Sequence, residues 1–178
     1  MMSIDKKVKV TEGCVPDNIP DEVLSSSEPL ILKGLASSWP IVKAGLSSHA
    51  DVEKYLLQFY QGQQVAAFLG KQENAGRIFY NEDLTGFNYD IVSTKLDFAL
   101  QQMSLHADNP ASPTIYIGST SVDQYLPGFR AENDIALGEH NPLVSIWISN
   151  KCRIAAHWDS PLNIACSVVG RRRFTLFP

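Results

Sequence analysis

The clearest hydrophobic periodicity in the chain predicts a helix that begins at Ser48. Apolar side chains follow this serine at helical spacing, at Val52, Tyr55, Leu56 and Phe59. Asp51 stands where it can complete a capping box with Ser48, and Gly62 stands where a C-terminal cap is expected. A second helix is predicted to begin near Ser93 or Thr94 and to end before residues 109–110, an Asn-Pro pair that disfavours helix.

Strand patterns flank and follow these helices. Residues 29–34 form a short apolar run between Pro and Gly, which suits an edge strand. Residues 64–69 and 77–80 resemble a hairpin with a polar, glycine-containing loop. Five further runs rich in β-branched or aromatic residues cover 114–118, 143–149, 153–159, 163–169 and 172–177. The pattern predicts a mainly β domain with N-terminal α+β elements, in which an antiparallel sheet forms a sandwich, jelly roll or barrel.

Composition restricts the class of protein without assigning a function. The chain has 178 residues, 19% of them charged, and a net charge of −4, which suits one compact domain with its own core. We expect an irregular N-terminal arm over residues 1–28 and a domain over residues 29–178. No apolar run is long enough to cross a membrane, and the N-terminus lacks the pattern of a secretory leader, so a cytoplasmic location is predicted.

Histidine and aspartate two positions apart can bind one divalent metal, and the sequence has three such pairs, His49/Asp51, His106/Asp108 and His157/Asp159. The first pair falls in the first turn of the predicted helix, where Asp51 is better explained as the capping carboxylate. The second falls at a helix end, where a histidine interacts favourably with the helix dipole.

The third pair lies in a predicted strand, and only in a strand do side chains two positions apart share a face. His157 and Asp159 therefore have two open interpretations: metal ligands, or a buried histidine hydrogen-bonded to an aspartate. With a second histidine from elsewhere they would complete the two-histidine, one-carboxylate triad of non-haem Fe(II) oxygenases.

Two segments resemble a known family. Residues 157–178 read HWDSPLNIACSVVGRRRFTLFP, and residues 29–35, PLILKGL, are followed by Trp39 and Pro40. Both resemble the cupin-like JmjC proteins, Fe(II)- and 2-oxoglutarate-dependent oxygenases that include the asparaginyl hydroxylase acting on hypoxia-inducible factor. The resemblance implies a double-stranded β-helix, or jelly roll, and hydroxylation of a substrate such as a protein side chain.

The resemblance also implies roles for individual residues. His157 and Asp159 match the first two iron ligands, and Asn163 matches an asparagine that reaches into the co-substrate pocket. Arg172 stands where the family usually has a lysine that binds the distal carboxylate of 2-oxoglutarate. Tyr116 and Thr120 resemble a tyrosine and a threonine that line the same pocket. An arginine can replace the lysine chemically, because guanidinium grips a carboxylate through two hydrogen bonds.

The sequence differs from the family in one respect, because no histidine follows His157. The family's second metal histidine lies on a later strand, so we expect the chain to be the N-terminal part of a longer oxygenase, inactive alone and lacking the last barrel strands. The alternative is a non-catalytic cupin-like binding module with an incomplete metal site.

The expected partner is a protein or peptide substrate, and an uncovered barrel edge would favour pairing with a second copy of the chain. Nucleic acid is not expected, because the chain is net acidic and no aromatic stacking platform accompanies the arginines at 171–173.

Overall fold

The computed structural model describes residues 7–107, 109, 111–159 and 162–177. In these residues the α-helices are Asp21–Leu24 (α1), Pro40–Ser47 (α2), His49–Leu57 (α3), Leu96–Leu105 (α4) and Val122–Tyr125 (α5). The strands are Lys9–Glu12 (β1), Leu30–Lys33 (β2), Gln64–Gly70 (β3), Arg77–Ile78 (β4), Tyr89–Lys95 (β5), Thr114–Ser121 (β6), Ser145–Ser149 (β7) and Arg153–Ile154 (β8).

The main sheet has four strands in the order β5-β3-β6-β7, and every neighbouring pair is antiparallel. The antiparallel sheet predicted from the sequence is therefore confirmed. Two small parallel pairs accompany it, β1 with β2 and β4 with β8. Content is mixed, with both helices and strands, so the expectation of a mainly β chain is not supported.

One face of the main sheet packs against helices and forms the core. Val65 and Ala67 of β3 and Ile115 and Ile117 of β6 are buried on this face. Helical side chains complete the core, among them Ile41 of α2, Leu56 of α3, and Leu96, Ala99, Leu100 and Met103 of α4. Because side chains alternate along a strand, Phe68 and Tyr116 lie on the opposite face. That second face carries the candidate site.

The start of α3 has the serine cap predicted from the sequence. The Ser48 hydroxyl accepts a hydrogen bond from the Asp51 backbone N–H at 3.0 Å. The Asp51 carboxylate accepts hydrogen bonds from the Ser47 and Ser48 hydroxyls at 2.6 and 2.7 Å, and these hydrogen bonds, that from Ser47 first, lower the pKa of Asp51. Asp51 therefore acts at the helix start as predicted, but the Ser48 backbone N–H donates to the Ala44 carbonyl, so the reciprocal half of a capping box is not formed.

The other early histidine also lies at a helix end. His106 is the residue that follows the last turn of α4, as predicted, while Asp108 lies outside the described residues. The start of α4 was placed too early by the sequence pattern. The helix begins at Leu96 because β5 continues to Lys95, where it still pairs with Gln64 of β3.

The predicted hairpin of residues 64–69 and 77–80 is wrong. β3 pairs along its full length with β5, from Gln64↔Lys95 to Gly70↔Tyr89, and β4 pairs with β8. The side chain of Asn88 takes the place of a strand partner beside β4. Its amide oxygen accepts from the Phe79 N–H and its NH2 donates to the Arg77 carbonyl, both at 2.9 Å.

Three predicted strands also need correction. The run 153–159 is a strand only at Arg153–Ile154, because its partner β4 ends at Ile78. The described parts of 163–169 and 172–177 have no strand, since no described segment supplies the backbone hydrogen bonds that a strand requires. The predicted jelly roll is therefore not shown in the described residues.

The N-terminal arm is more ordered than expected. β1 pairs in parallel with β2, from Lys9↔Leu30 to Glu12↔Lys33, and α1 follows it. Cys14, Ile19 and Leu35 form a second, smaller buried cluster. The arm thus packs against the start of the domain. In the described part of the chain, no helix combines the length and hydrophobicity needed to cross a membrane.

Candidate metal and co-substrate site

His157 and Asp159 come together although they do not lie on a strand. The distance from His157 Nε2 to Asp159 Oδ1 is 3.7 Å, and both side chains are about half exposed, at 53% and 57%. Two atoms that each lie about 2.1 Å from one metal ion can be at most about 4.2 Å apart. The observed separation is within this limit, so the two atoms are close enough to share one ion after a small adjustment of the side chains.

A hydrogen bond to the backbone determines which nitrogen of the neutral His157 ring carries the hydrogen. Nδ1 lies 2.8 Å from the Ala155 carbonyl oxygen, and since a carbonyl only accepts, Nδ1 carries the hydrogen. The neutral ring then has its lone pair on Nε2, the nitrogen that faces Asp159. Such a hydrogen bond to the second ring nitrogen is the usual way in which proteins orient a metal-binding histidine.

Asn163 contacts the aspartate and not the neighbouring cavity. Its side-chain NH2 lies 3.5 Å from Asp159 Oδ2, while Oδ1 faces His157. The amide thus holds one carboxylate oxygen and leaves the other directed at the imidazole. Asn163 was expected to line the co-substrate pocket. In this structure it instead positions the Asp159 carboxylate.

The donor set is incomplete in the described residues. One imidazole and one carboxylate suit Fe(II), but within residues 7–107, 109, 111–159 and 162–177 no group of three or more His, Cys, Asp or Glu side chains is close enough to share an ion. The pair therefore fits a metal as two of its protein ligands.

A cavity of about 280 Å³ opens beside His157, on the face of the sheet away from the helices. Its walls include Tyr116, Trp147 and Phe68 from the sheet, Ile78 and Phe79 from the β4 segment, and Ala155 to His157. His157 therefore belongs both to the cavity wall and to the pair with Asp159, which we call the metal pair after the role expected of it.

Tyr116 is the most buried polar group in the walls of this cavity. It is 5% exposed, and its ring packs on Phe68 and Trp147, with centroids 5.5 and 6.0 Å apart. Gly118 makes room for its hydroxyl, because a Cβ at that position would lie 3.0 Å from Tyr116 Oη. The hydroxyl is thus held in one place by close packing.

Burial raises the pKa of Tyr116 to about 12. Negative charge at Cys152, Tyr89 and Asp159 acts in the same direction, while the positive charge of Arg172 lowers the pKa. The phenol therefore stays protonated at neutral pH and can donate a hydrogen bond to an anion. Both Asp159 and Arg172 are close enough for their charges to act on this hydroxyl.

The raised pKa of Tyr116 predicts a loss of stability at high pH. An unfolded tyrosine ionises near pH 10, so the unfolded state loses its proton first and stability falls as the pH rises from 10 towards 12. Between pH 8 and 11 the free energy of unfolding should fall by about 1.4 kcal/mol more in the parent than in Tyr116→Phe. Urea unfolding at both pH values measures this difference, with exposed Tyr80→Phe as the control. Equal falls in parent and Tyr116→Phe would contradict the burial of the phenol.

The two remaining predicted pocket residues lie outside the cavity walls. Arg172 is exposed on a segment without regular secondary structure, although its charge acts on Tyr116. Thr120 lies beyond a bulge in β6 and is opposite Ile146, which packs on the core side of the sheet. Its hydroxyl donates to the Gly118 carbonyl at 3.3 Å. Thr120 therefore does not line the cavity in this structure.

A row of aromatic rings that the sequence patterns did not predict lines the cavity, and we call it the aromatic ladder. Its members are in contact in the order Tyr80, Phe87, Tyr89, Phe68, Tyr116, with centroids 4.9 to 5.5 Å apart. In the sequence, the spacing of Phe87 and Tyr89, two positions apart, is the local pattern that indicates two aromatic rings on one face. Tyr80 and Phe87 meet at an isolated bridge between neighbouring segments, whereas the contacts of Phe68 with Tyr89 and Tyr116 join strands that are distant in sequence.

Comparison with known proteins gives one match. A family model described as a cupin-like domain matches residues 16–178, which is most of the chain. Searches of curated proteins and of solved structures returned no match.

Proposed function

The chain belongs to the cupin-like domain family, and from this premise we propose that it carries the metal- and co-substrate-binding part of a Fe(II)- and 2-oxoglutarate-dependent oxygenase. The observation that carries the proposal is the convergence of His157 Nε2 and Asp159 Oδ1 at 3.7 Å beside the cavity that Tyr116 lines. The family includes oxygenases of this kind, and the resemblance of residues 157–178 to their core block points the same way.

The metal ligands in this proposal are His157 and Asp159. The Ala155 carbonyl holds the imidazole with Nε2 available, and Asn163 holds the far oxygen of the carboxylate. Fe(II) bound there would supply the redox chemistry that couples decarboxylation of 2-oxoglutarate to oxidation of a substrate C–H bond. The chain's own side chains orient the reactants and keep water away from them.

The co-substrate site in this proposal is the cavity beside the metal pair. The Tyr116 hydroxyl, protonated at neutral pH, donates to a carboxylate of 2-oxoglutarate. Arg172 provides the positive charge for the same carboxylate, since guanidinium can make two parallel hydrogen bonds to it. Phe68 and Trp147 exclude water from one side of the bound molecule, which strengthens these charged contacts. The proposed substrate is a protein side chain.

One observation favours a second candidate function. Because no third ligand joins His157 and Asp159 in the part of the chain that the structure describes, the domain could act as a binding module without catalysis. A module of this kind would bind a partner in the cavity and would show no affinity for 2-oxoglutarate that depends on a metal.

Substitution of Arg172 distinguishes the oxygenase from the binding module. We expect Arg172→Glu to weaken 2-oxoglutarate binding by at least about tenfold, because it places a carboxylate against a carboxylate, whereas Arg172→Lys should retain most of the affinity. Calorimetric titration with 2-oxoglutarate in the presence of Mn(II) measures the change.

A matched control lies next to Arg172 in the chain. Arg173→Glu makes the same change in net charge at an exposed neighbour and should leave the affinity within about twofold. Equal losses in both variants would indicate a general charge effect and would contradict the assignment of Arg172. No binding by the parent would favour the binding module.

A further inference from the structure

Two arginines stand side by side next to the proposed site. Arg77 of β4 and Arg153 of β8 are direct partners in the parallel pair, and both are exposed. Among the described residues, no carboxylate lies within 4.0 Å of either guanidinium. Like charges on directly paired strands are destabilising, so the pairing of the two arginines costs stability. It is suited to an anionic partner.

The arginine pair lies at the rim of the cavity. The Arg77 guanidinium carbon is 4.4 Å from the centroid of the Phe79 ring, and Phe79 is part of the cavity wall. Ile78 and Ile154, the residues that follow the two arginines, also line the cavity. Because side chains alternate along a strand, Arg77 and Arg153 leave the β4–β8 pair on the other face from Ile78 and Ile154. The contact of Arg77 with the wall residue Phe79 is what places the pair at the edge of the cavity.

The aromatic ladder indicates the kind of chain that would lie there. Phe87 stacks between Tyr80 and Tyr89, at centroid distances of 5.3 and 4.9 Å and interplanar angles of 24° and 22°. Its two faces are covered by these rings, yet it is 53% exposed, so ring edges form much of the exposed surface. Nucleic-acid bases bind to free ring faces, whereas apolar peptide side chains pack against ring edges equally well.

The distance between the arginine pair and the metal pair limits how many residues of a bound peptide can lie between them. His157 follows Arg153 by four residues, so the two Cα atoms are at most about 14 Å apart. An extended peptide covers that distance with about four residues. Because 14 Å is an upper limit, an acidic side chain held by the arginines would lie at most about four positions from the side chain presented to the metal pair.

We propose that the substrate of this site is an acidic peptide, bound in extended form along the aromatic ladder with a carboxylate on Arg77 and Arg153. The proposal rests on the oxygenase function proposed above, and it adds the class of substrate and the position of its anchoring residue. Apolar side chains of the peptide pack on the ladder between the anchor and the target residue.

Peptide binding can be tested without metal or 2-oxoglutarate. Fluorescence anisotropy is measured with two labelled 12-residue peptides of Ser, Ala and Leu that contain an Asn, with either two Glu or two Gln residues four positions away from it. The Glu peptide should bind the parent about tenfold more tightly than the Gln peptide. The double variant Arg77→Gln/Arg153→Gln should remove this preference, while Arg171→Gln/Arg173→Gln, with the same change in net charge, should keep it.

Several results would overturn the proposal. They are a parent that does not prefer the Glu peptide, a preference that survives in Arg77→Gln/Arg153→Gln, and an equal loss in the control variant. Tighter binding of a labelled 12-nucleotide oligouridylate, lost in the Arg77/Arg153 variant, would assign the surface to nucleic acid instead. Because no metal or co-substrate is present, failure of the oxygenase proposal leaves this measurement unchanged, and failure of peptide docking leaves 2-oxoglutarate binding unchanged.

Discussion

Replacing either His157 or Asp159 with alanine should lower the affinity of the protein for Fe(II) by at least about a hundredfold, or about 2.7 kcal/mol. Each variant removes one of two donor atoms that lie 3.7 Å apart, and the remaining donor cannot chelate alone. Anaerobic titration with Fe(II), followed by equilibrium dialysis, measures the loss. The same loss is expected in both variants because the two side chains bind one ion.

The controls for this prediction separate chelation from nonspecific binding. His140→Ala removes an exposed histidine from the loop before β7 and should change Fe(II) affinity by less than about twofold. Asn163→Ala leaves both ligands in place but removes the contact to Asp159 Oδ2, and we expect a loss of about tenfold, typical of residues that position a ligand. Unchanged affinity in either ligand variant would show that the pair does not hold the metal.

Replacing Ile117 with alanine should destabilise the fold by about 3 kcal/mol, the usual cost of a cavity in a packed core. Ile117 is fully buried between the sheet and its helices and follows Tyr116 on β6. Ile91 of β5 provides the matched control, since it lies on the opposite face and is 59% exposed. We expect Ile91→Ala to change the free energy of unfolding by less than about 0.5 kcal/mol.

Urea unfolding monitored by tryptophan fluorescence measures both changes. A large effect of Ile117→Ala with a small effect of Ile91→Ala places the core on the helical face and leaves the aromatic face open to ligands. Similar losses in both variants would contradict this division, because they would mean that the face with Tyr116 is also packed in the folded protein.

Local signals in the sequence were sufficient for several elements. The α3 start was predicted because its determinants, Ser48 and Asp51, are three residues apart and act within one turn. A second helix was likewise predicted from local signals, but the start of α4 was placed too early. That error arose because β3 extends β5 to Lys95 through hydrogen bonds to Gln64, and no local pattern reports a distant partner.

The candidate site was predicted in part and for an incomplete reason. His157 and Asp159 were expected to converge because they lie two positions apart in a strand, yet they converge on a segment where no strand is present. The hydrogen bond from His157 Nδ1 to the Ala155 carbonyl orients the imidazole. Strand geometry was expected to do this. Binding of the co-substrate by the four residues expected to do so stays a prediction: Tyr116, Thr120, Asn163 and Arg172.

The aromatic ladder and the arginine pair could not be predicted because both depend on pairing between distant segments. Arg77 and Arg153 meet only through the parallel pairing of β4 with β8. The sequence pattern predicted that β4 pairs with β3. The Asn88 side chain hydrogen-bonds to the backbone beside β4, and no hydrophobic pattern indicates such a polar contact. Pairing of this kind is decided by tertiary packing, to which short-range periodicity is insensitive.

The central claim is that this domain supports oxygenase chemistry, and conversion of 2-oxoglutarate to succinate tests it most directly. Succinate is measured by mass spectrometry with Fe(II), oxygen and the protein expressed from its complete reading frame. The account predicts succinate from the parent and none above background from His157→Ala or Asp159→Ala. Succinate formation that is equal in parent and variants, or a parent that binds Fe(II) and 2-oxoglutarate without forming succinate, would contradict it.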